Sequence, residues 1–173
     1  MKESFLNIKL KSKGSVLKVD GDKIAINKTF EKRLGDKGFL QKDVQAIAKM
    51  IRDKITSNIY RGKRYDGGNV KALTSKAYMK RKGSSRVLIN TGKMLDGVVV
   101  AKQGKDIIVR MKNTKYPKKV NPLGAGKGWT VKNPLTVSKV AEYVNAERPF
   151  FGITKKDLSI FTKAVIKDRL FKK

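Results

Sequence analysis

One apolar stripe constrains the fold of this chain more than any other feature. Six apolar residues recur at helical spacing within residues 41–60: Val44, Ile47, Ala48, Ile51, Ile55 and Ile59. Lys42 and Lys49 fall on other faces, so the segment is predicted to form a long amphipathic helix. A basic helix of this kind can lie on a membrane surface. Packing against a core is the favoured interpretation, because the rest of the chain supplies strands that need a cover.

Two β-hairpins are predicted. Residues 15–19 and 23–27 are short β-prone runs on either side of Asp20-Gly21-Asp22, and residues 97–101 and 106–111 flank a turn that contains Gly104. Asp20 and Asp22 raise the alternative of a cation site. The other ligands of a calcium loop are absent, so the turn is favoured.

Shorter helices are predicted at residues 29–34, 75–82 and 136–145. A final helix is predicted at residues 154–171, where Thr154 and Asp157 form an N-terminal capping pattern. Its expected core face is lined by Leu158, Phe161, Ala164, Val165 and Phe171 and widened by Ile160 and Ile166. The predicted class is α+β: a small, mainly antiparallel sheet packed by the long central helix and the C-terminal helix, with extended loops.

The length of 173 residues predicts a single domain, residues 1–173. Within it we expect an N-terminal hairpin extension at 1–35 and a core helix and sheet at 36–112. An exposed basic Pro/Gly-rich loop is expected at 113–135, followed by an arm and the C-terminal helix at 136–173.

The composition limits the chemistry. The chain has 42 basic and 14 acidic residues, a net charge of +28, and neither Cys nor His. Thiol, imidazole and Cys/His zinc chemistry are therefore excluded. No apolar run approaches the roughly 20 residues that cross a bilayer, and no signal-peptide core is evident. Of the basic residues 33 are Lys, which favours non-specific electrostatic contacts over base reading.

The 113–135 loop holds three of the four prolines, the only Trp, Trp129, and several lysines: Lys115, Lys118, Lys119 and Lys127. The glycines at 124, 126 and 128 do not match the spacing of a phosphate-binding loop. We expect a basic loop that becomes ordered on contact with a partner.

Residues 148–152, here called the arm, read Arg148-Pro149-Phe150-Phe151-Gly152. Proline fixes φ and holds the preceding residue extended, and the glycine permits a sharp turn before the last helix. The two phenylalanines are expected to anchor the chain. Their site is either the protein's own sheet or a neighbouring subunit.

Two elements resemble the phage virion morphogenesis (tail completion) family. Leu88, Thr91, Gly92 and Leu95 resemble its L-x-x-[ST]-G-x-L element, with Leu95 one residue beyond the final position. The arm residues Arg148, Pro149, Phe150 and Gly152, with Asp157, match its later R-P-F-[LF]-G element. The resemblance implies a structural virion protein at the head–tail junction that forms a ring with portal, neck or tail proteins. It implies no enzymatic activity, no cofactor and no membrane, and assembly into the virion in the host cytoplasm.

Two other functions compete with this one. The first is a non-specific nucleic-acid-binding protein, which would explain the charge but leaves the arm unexplained. Contact with packaged DNA is compatible with this interpretation and with the virion protein. A nucleic-acid-binding protein would interleave aromatic residues with basic ones, and Tyr60, Tyr65 and Tyr116 are the candidates. A nuclease is disfavoured, because the acidic residues are scattered.

Overall fold

The apolar stripe forms the long helix that the sequence predicts. In the computed structural model, which describes residues 6–14, 16–19, 22–25, 38–76, 79–80, 88, 92–116 and 135–171, this helix is α1, Gln41–Arg61. All six stripe residues are at most 3% exposed. The Leu40 amide donates to Asp43 at 2.8 Å. At the other end the Lys63 amide donates to the Asn58 carbonyl at 2.9 Å, which satisfies a carbonyl that the last turn leaves open.

Five strands of the described chain form one sheet in the order β3-β2-β1-β5-β4. They are β1 (Asn7–Lys13), β2 (Val16–Val19), β3 (Asp22–Ala25), β4 (Val98–Gln103) and β5 (Asp106–Met111). β2 pairs antiparallel with both β1 and β3. β4 and β5 are joined by a two-residue turn at Gly104 and Lys105, a connection that requires antiparallel strands.

Both predicted hairpins are present, as β2–β3 and β4–β5, but the sequence did not predict β1. Ile8 and Leu10 of β1 are buried, and the strand lies between β2 and β5. The N-terminal hairpin is therefore part of the sheet. The expectation that residues 1–35 form an N-terminal hairpin extension stays a prediction.

Two more helices complete the described α+β fold. α2 spans Val137–Glu147, and the Thr136 hydroxyl accepts from the Lys139 amide at 3.2 Å. α3 spans Lys155–Phe171, and the Thr154 hydroxyl accepts from the Asp157 amide at 3.1 Å, as predicted. Residues 76 and 79–80 of the predicted 75–82 helix are helical, and residues 29–34 lie outside the described part.

The buried face of α3 differs from the expected one. Leu158, Thr162 and Ile166 are buried, whereas Ile160 and Phe171 are 51% and 63% exposed and Ala164 is exposed. Thr162 can be buried at low cost because its hydroxyl donates to the Leu158 carbonyl at 2.8 Å, which satisfies its polar group inside the helix. The prediction that Ile160, Ala164 and Phe171 belong to the core face is wrong.

The chain divides into two compact units. The first, called the sheet unit, comprises Asn7–Asp53, Val100–Val109 and Ile153–Lys173. The second, called the arm unit, comprises Met1–Leu6, Lys54–Val99 and Arg110–Gly152. Each has its own buried apolar residues, such as Leu10, Ile47 and Leu158 in the sheet unit and Ile59, Val140 and Phe150 in the arm unit. That the whole chain is a single domain stays a prediction.

Candidate functional site

The arm buries both of its aromatic rings within the chain. Phe150 is fully buried and Phe151 is 8% exposed. Their ring centroids lie 6.4 Å apart with the planes at 82°, an edge-to-face arrangement that aromatic pairs prefer. Of the two anchoring sites left open by the sequence, burial within the protein itself is the one that this geometry favours.

A single carboxamide shapes the arm. The Asn145 Oδ1 atom accepts hydrogen bonds from the Phe150 amide at 2.9 Å and the Phe151 amide at 2.8 Å. Asn145 lies in the last turn of α2, so the same residue ends the helix and folds the following segment back. Sequence reasoning missed it. The signal was available, since an Asn shortly before an X-Pro step often caps a turn.

The backbone of the arm also bonds to a distant loop of the arm unit. The Tyr65 amide donates to the Pro149 carbonyl at 3.0 Å, and the Arg148 Nε donates to the Lys71 carbonyl at 3.3 Å. A Cβ atom added at Gly152 would lie 2.8 Å from Cγ of Tyr65. Glycine is thus required here by the close approach of the Tyr65 ring, and this role of Tyr65 could not be foreseen from the sequence.

Leu88 and residues 92–95 are the described part of the Leu88-to-Leu95 element, and residues 92–97 form a tight turn ahead of β4. Leu88 is buried, and Gly92 has φ +74, a left-handed conformation that favours glycine. The amide of Leu95 donates to the Gly92 carbonyl at 2.9 Å. Met94 is buried and Leu95 is half-buried, so Met94 is the core residue of this turn. Thr91 lies outside the described residues.

The two ends of the 113–135 loop are held together. Lys115 is exposed and forms an isolated β-bridge with Thr136, and the Tyr116 amide donates to the Leu135 carbonyl at 2.9 Å. The Val137 amide donates to the Thr114 carbonyl at 2.8 Å. Trp129, Lys118, Lys119 and Lys127 lie outside the described residues, so their roles stay predictions.

α3 carries a second apolar stripe, which is exposed. Ile160, Ala164 and Phe171 are separated by four and seven residues, with Lys167 between the last two, and together they form one side of the helix. At 100° per residue this side is nearly opposite the buried stripe of Leu158, Thr162 and Ile166. α3 therefore also exposes apolar residues on the side away from its buried stripe, where they alternate with Lys156 and Lys167.

The aromatic residues proposed for nucleic-acid stacking are mostly committed elsewhere. Tyr116 is buried with the Lys93 ammonium 5.8 Å from its ring centre, and Tyr65 packs over Gly152. Tyr60 is 52% exposed. A stacking platform for single-stranded nucleic acid is not formed by these three residues.

Within the described ranges, no helix is long and apolar enough to span a bilayer. No three acidic side chains in those ranges lie close enough to hold a metal ion together. Comparison of the chain with protein-family models, curated proteins and solved structures finds no match.

Proposed function

We propose that this protein is a structural subunit of a tailed-phage virion, of the tail-completion or neck type, which assembles into a ring at the head–tail junction. The resemblance of Leu88–Leu95 and of the arm to the tail completion family supports the proposal that the protein is of this type. In the structure, residues 92–97 form a tight turn before β4, and hydrogen bonds hold the arm before α3.

The exposed stripe on α3 is the observation that carries the proposal of assembly. Exposed apolar side chains grouped on one side of a helix mark a candidate protein–protein interaction surface. Ile160 and Phe171 are about 16 Å apart along the helix axis, since each residue rises about 1.5 Å. A strip of this length gives a neighbouring subunit two large side chains on which to dock.

The occupant that we propose for this stripe is a second copy of the chain. A ring forms when the stripe of one copy meets a different surface of the next copy and the rotation closes. The proposed protein acts without catalysis or a cofactor, and its final location is the virion. Portal, neck or tail subunits would then add to a preformed ring.

A charge-introduction experiment tests the assembly surface. The mass of the full chain in solution is measured for the native protein, for the double variant Ile160→Glu/Phe171→Glu, and for Tyr143→Glu. Tyr143 is a suitable control, because it is also a large exposed side chain, 49% exposed, on another helix. We expect a closed oligomer for the native protein and the control, and a folded monomer for the double variant.

Two results would contradict the proposal. A native protein that stays monomeric at high concentration would exclude self-assembly through α3. An oligomer that survives the double variant but is lost in Tyr143→Glu would assign the interface to α2 instead. Circular dichroism of each variant separates loss of assembly from loss of folding.

A further inference from the structure

Three lysine positions are aligned across the N-terminal strands by their pairing register. The register of β1 and β2 places Lys11 opposite Lys18, and the register of β2 and β3 places Lys18 opposite Lys23. Neighbouring strands are about 4.8 Å apart. The three positions therefore form a row of about 10 Å across the sheet.

More lysines flank this row on the same side of β1. Lys9 and Lys13 are two residues before and after Lys11, and alternate residues of a strand share a face. Lys11, Lys13 and Lys18 are exposed. We call Lys9, Lys11, Lys13 and Lys18 the lysine face.

One carboxylate serves this face among the described residues. Asp106 of β5 lies 3.2 Å from the Lys9 ammonium and 3.6 Å from the Lys11 ammonium. Lys13 and Lys18 have no carboxylate within ion-pair distance in the described part of the chain. Like charges that are directly opposite on neighbouring strands destabilise a sheet, so this arrangement does not serve the stability of the fold.

We propose that the lysine face binds the phosphate backbone of duplex DNA. A 10 Å length of duplex carries about six phosphate charges, which complement the row and its flanking lysines. Lysine supplies point charges without the bidentate geometry that reads bases, so the contact is independent of sequence. This site does not depend on the proposed ring.

The composition of the strands favours this occupant over the alternatives. β1, β2, β3 and β5 contain no aromatic residue in their sequences. Single-stranded nucleic acid is normally held by stacking on aromatic rings. Protein interfaces have an apolar centre and are depleted in lysine. A flat, lysine-rich face fits a duplex backbone better than either.

The test compares two triple variants of the full chain that remove the same charge. The first, called the row variant, is Lys11→Gln/Lys13→Gln/Lys18→Gln, which changes two lysines of the row and the flanking Lys13. The matched control is Lys42→Gln/Lys49→Gln/Lys155→Gln, which changes three exposed lysines of α1 and α3 in the same unit. Binding to a fluorescent duplex of random sequence is measured by anisotropy between about 50 and 200 mM salt.

We expect the slope of log K against log salt to become shallower by about 2 to 3 in the row variant, since each lost phosphate contact contributes about 0.9. The control should keep most of the native slope, and Lys11→Arg/Lys13→Arg/Lys18→Arg should keep it as well. Row and control variants that lose equal slope would overturn the site, because the binding would then follow net charge alone. Unchanged DNA binding together with lost binding to an acidic virion protein would overturn it in favour of a protein partner.

Discussion

The Asn145 carboxamide links the end of α2 to the arm by accepting two backbone hydrogen bonds. Without it, the amides of Phe150 and Phe151 would face a partly buried environment with no acceptor. Leaving buried donors unsatisfied costs more than an average hydrogen bond gains. The two phenylalanine rings supply apolar burial, and this side chain fixes the backbone that directs them inward.

Replacing Asn145 should therefore destabilise the protein more than its size suggests. For Asn145→Ala we expect the free energy of unfolding to fall by about 1 to 3 kcal/mol, measured by urea titration. Asn145→Asp retains an oxygen that can accept both bonds and should lose much less. Asn113→Ala removes an exposed Asn and is the control. Equal losses for Asn145→Ala and Asn113→Ala would show that the carboxamide has no special role.

In the sheet unit, a buried ion pair links α3 to α1. The Arg169 guanidinium of α3 bonds to the Asp43 carboxylate of α1, and it also donates to the Gly38 carbonyl at 2.8 Å. The side chains are only 14% and 4% exposed. A buried pair contributes little net stability by itself, but removing one partner leaves an unpaired charge in the interior.

Arg169→Met should thus lower the free energy of unfolding by about 3 to 5 kcal/mol. The double variant Asp43→Asn/Arg169→Met also removes the unpaired Asp43 charge and should be more stable than Arg169→Met alone. Lys167→Met changes an exposed residue of the same helix and is expected to have little effect. A double-mutant cycle in urea measures the coupling, and purely additive losses would contradict a direct pair.

At the scale of elements, the sequence predicts best where one signal dominates. α1 has an unbroken apolar stripe, and both hairpins have turn residues between short β-prone runs, so all three were identifiable. β1 lacks a turn signal and has only Ile8 and Leu10 as its buried residues, which left it unrecognised. In α3 the apolar residues are distributed over two sides, and periodicity alone cannot decide which side is covered.

The candidate site was predictable only in its local part. The motif residues of the arm are visible in the sequence, and the capping pattern at Thr154 and Asp157 is confirmed. The partners of the arm are not visible, because Tyr65 and Lys71 lie about 80 residues away along the chain. Register is equally non-local: that Lys11, Lys18 and Lys23 share a row follows from strand pairing, not from spacing.

For the whole molecule, basic residues far outnumber the acidic residues with which they could pair. The chain has three times as many basic as acidic residues, 42 against 14, so most cations have no anion with which to pair. The exposed pairs that do form, such as Arg52 with Asp53 and Arg64 with Asp66, contribute little. A net charge of +28 therefore opposes folding, because the like charges repel each other more strongly in the compact state.

Salt should accordingly stabilise this protein. Screening shortens the range of charge interactions from about 10 Å at 0.1 M to about 3 Å at 1 M ionic strength, and it weakens repulsion more than attraction here because repulsive contacts are in excess. We expect the urea midpoint to rise with added sodium chloride, and to rise less in Lys11→Gln/Lys13→Gln/Lys18→Gln, which has already lost part of the repulsion on the lysine face. A sucrose series controls for general solute effects. A midpoint that falls with salt would mean that ion pairs, and not net charge, dominate the electrostatic part of the folding free energy.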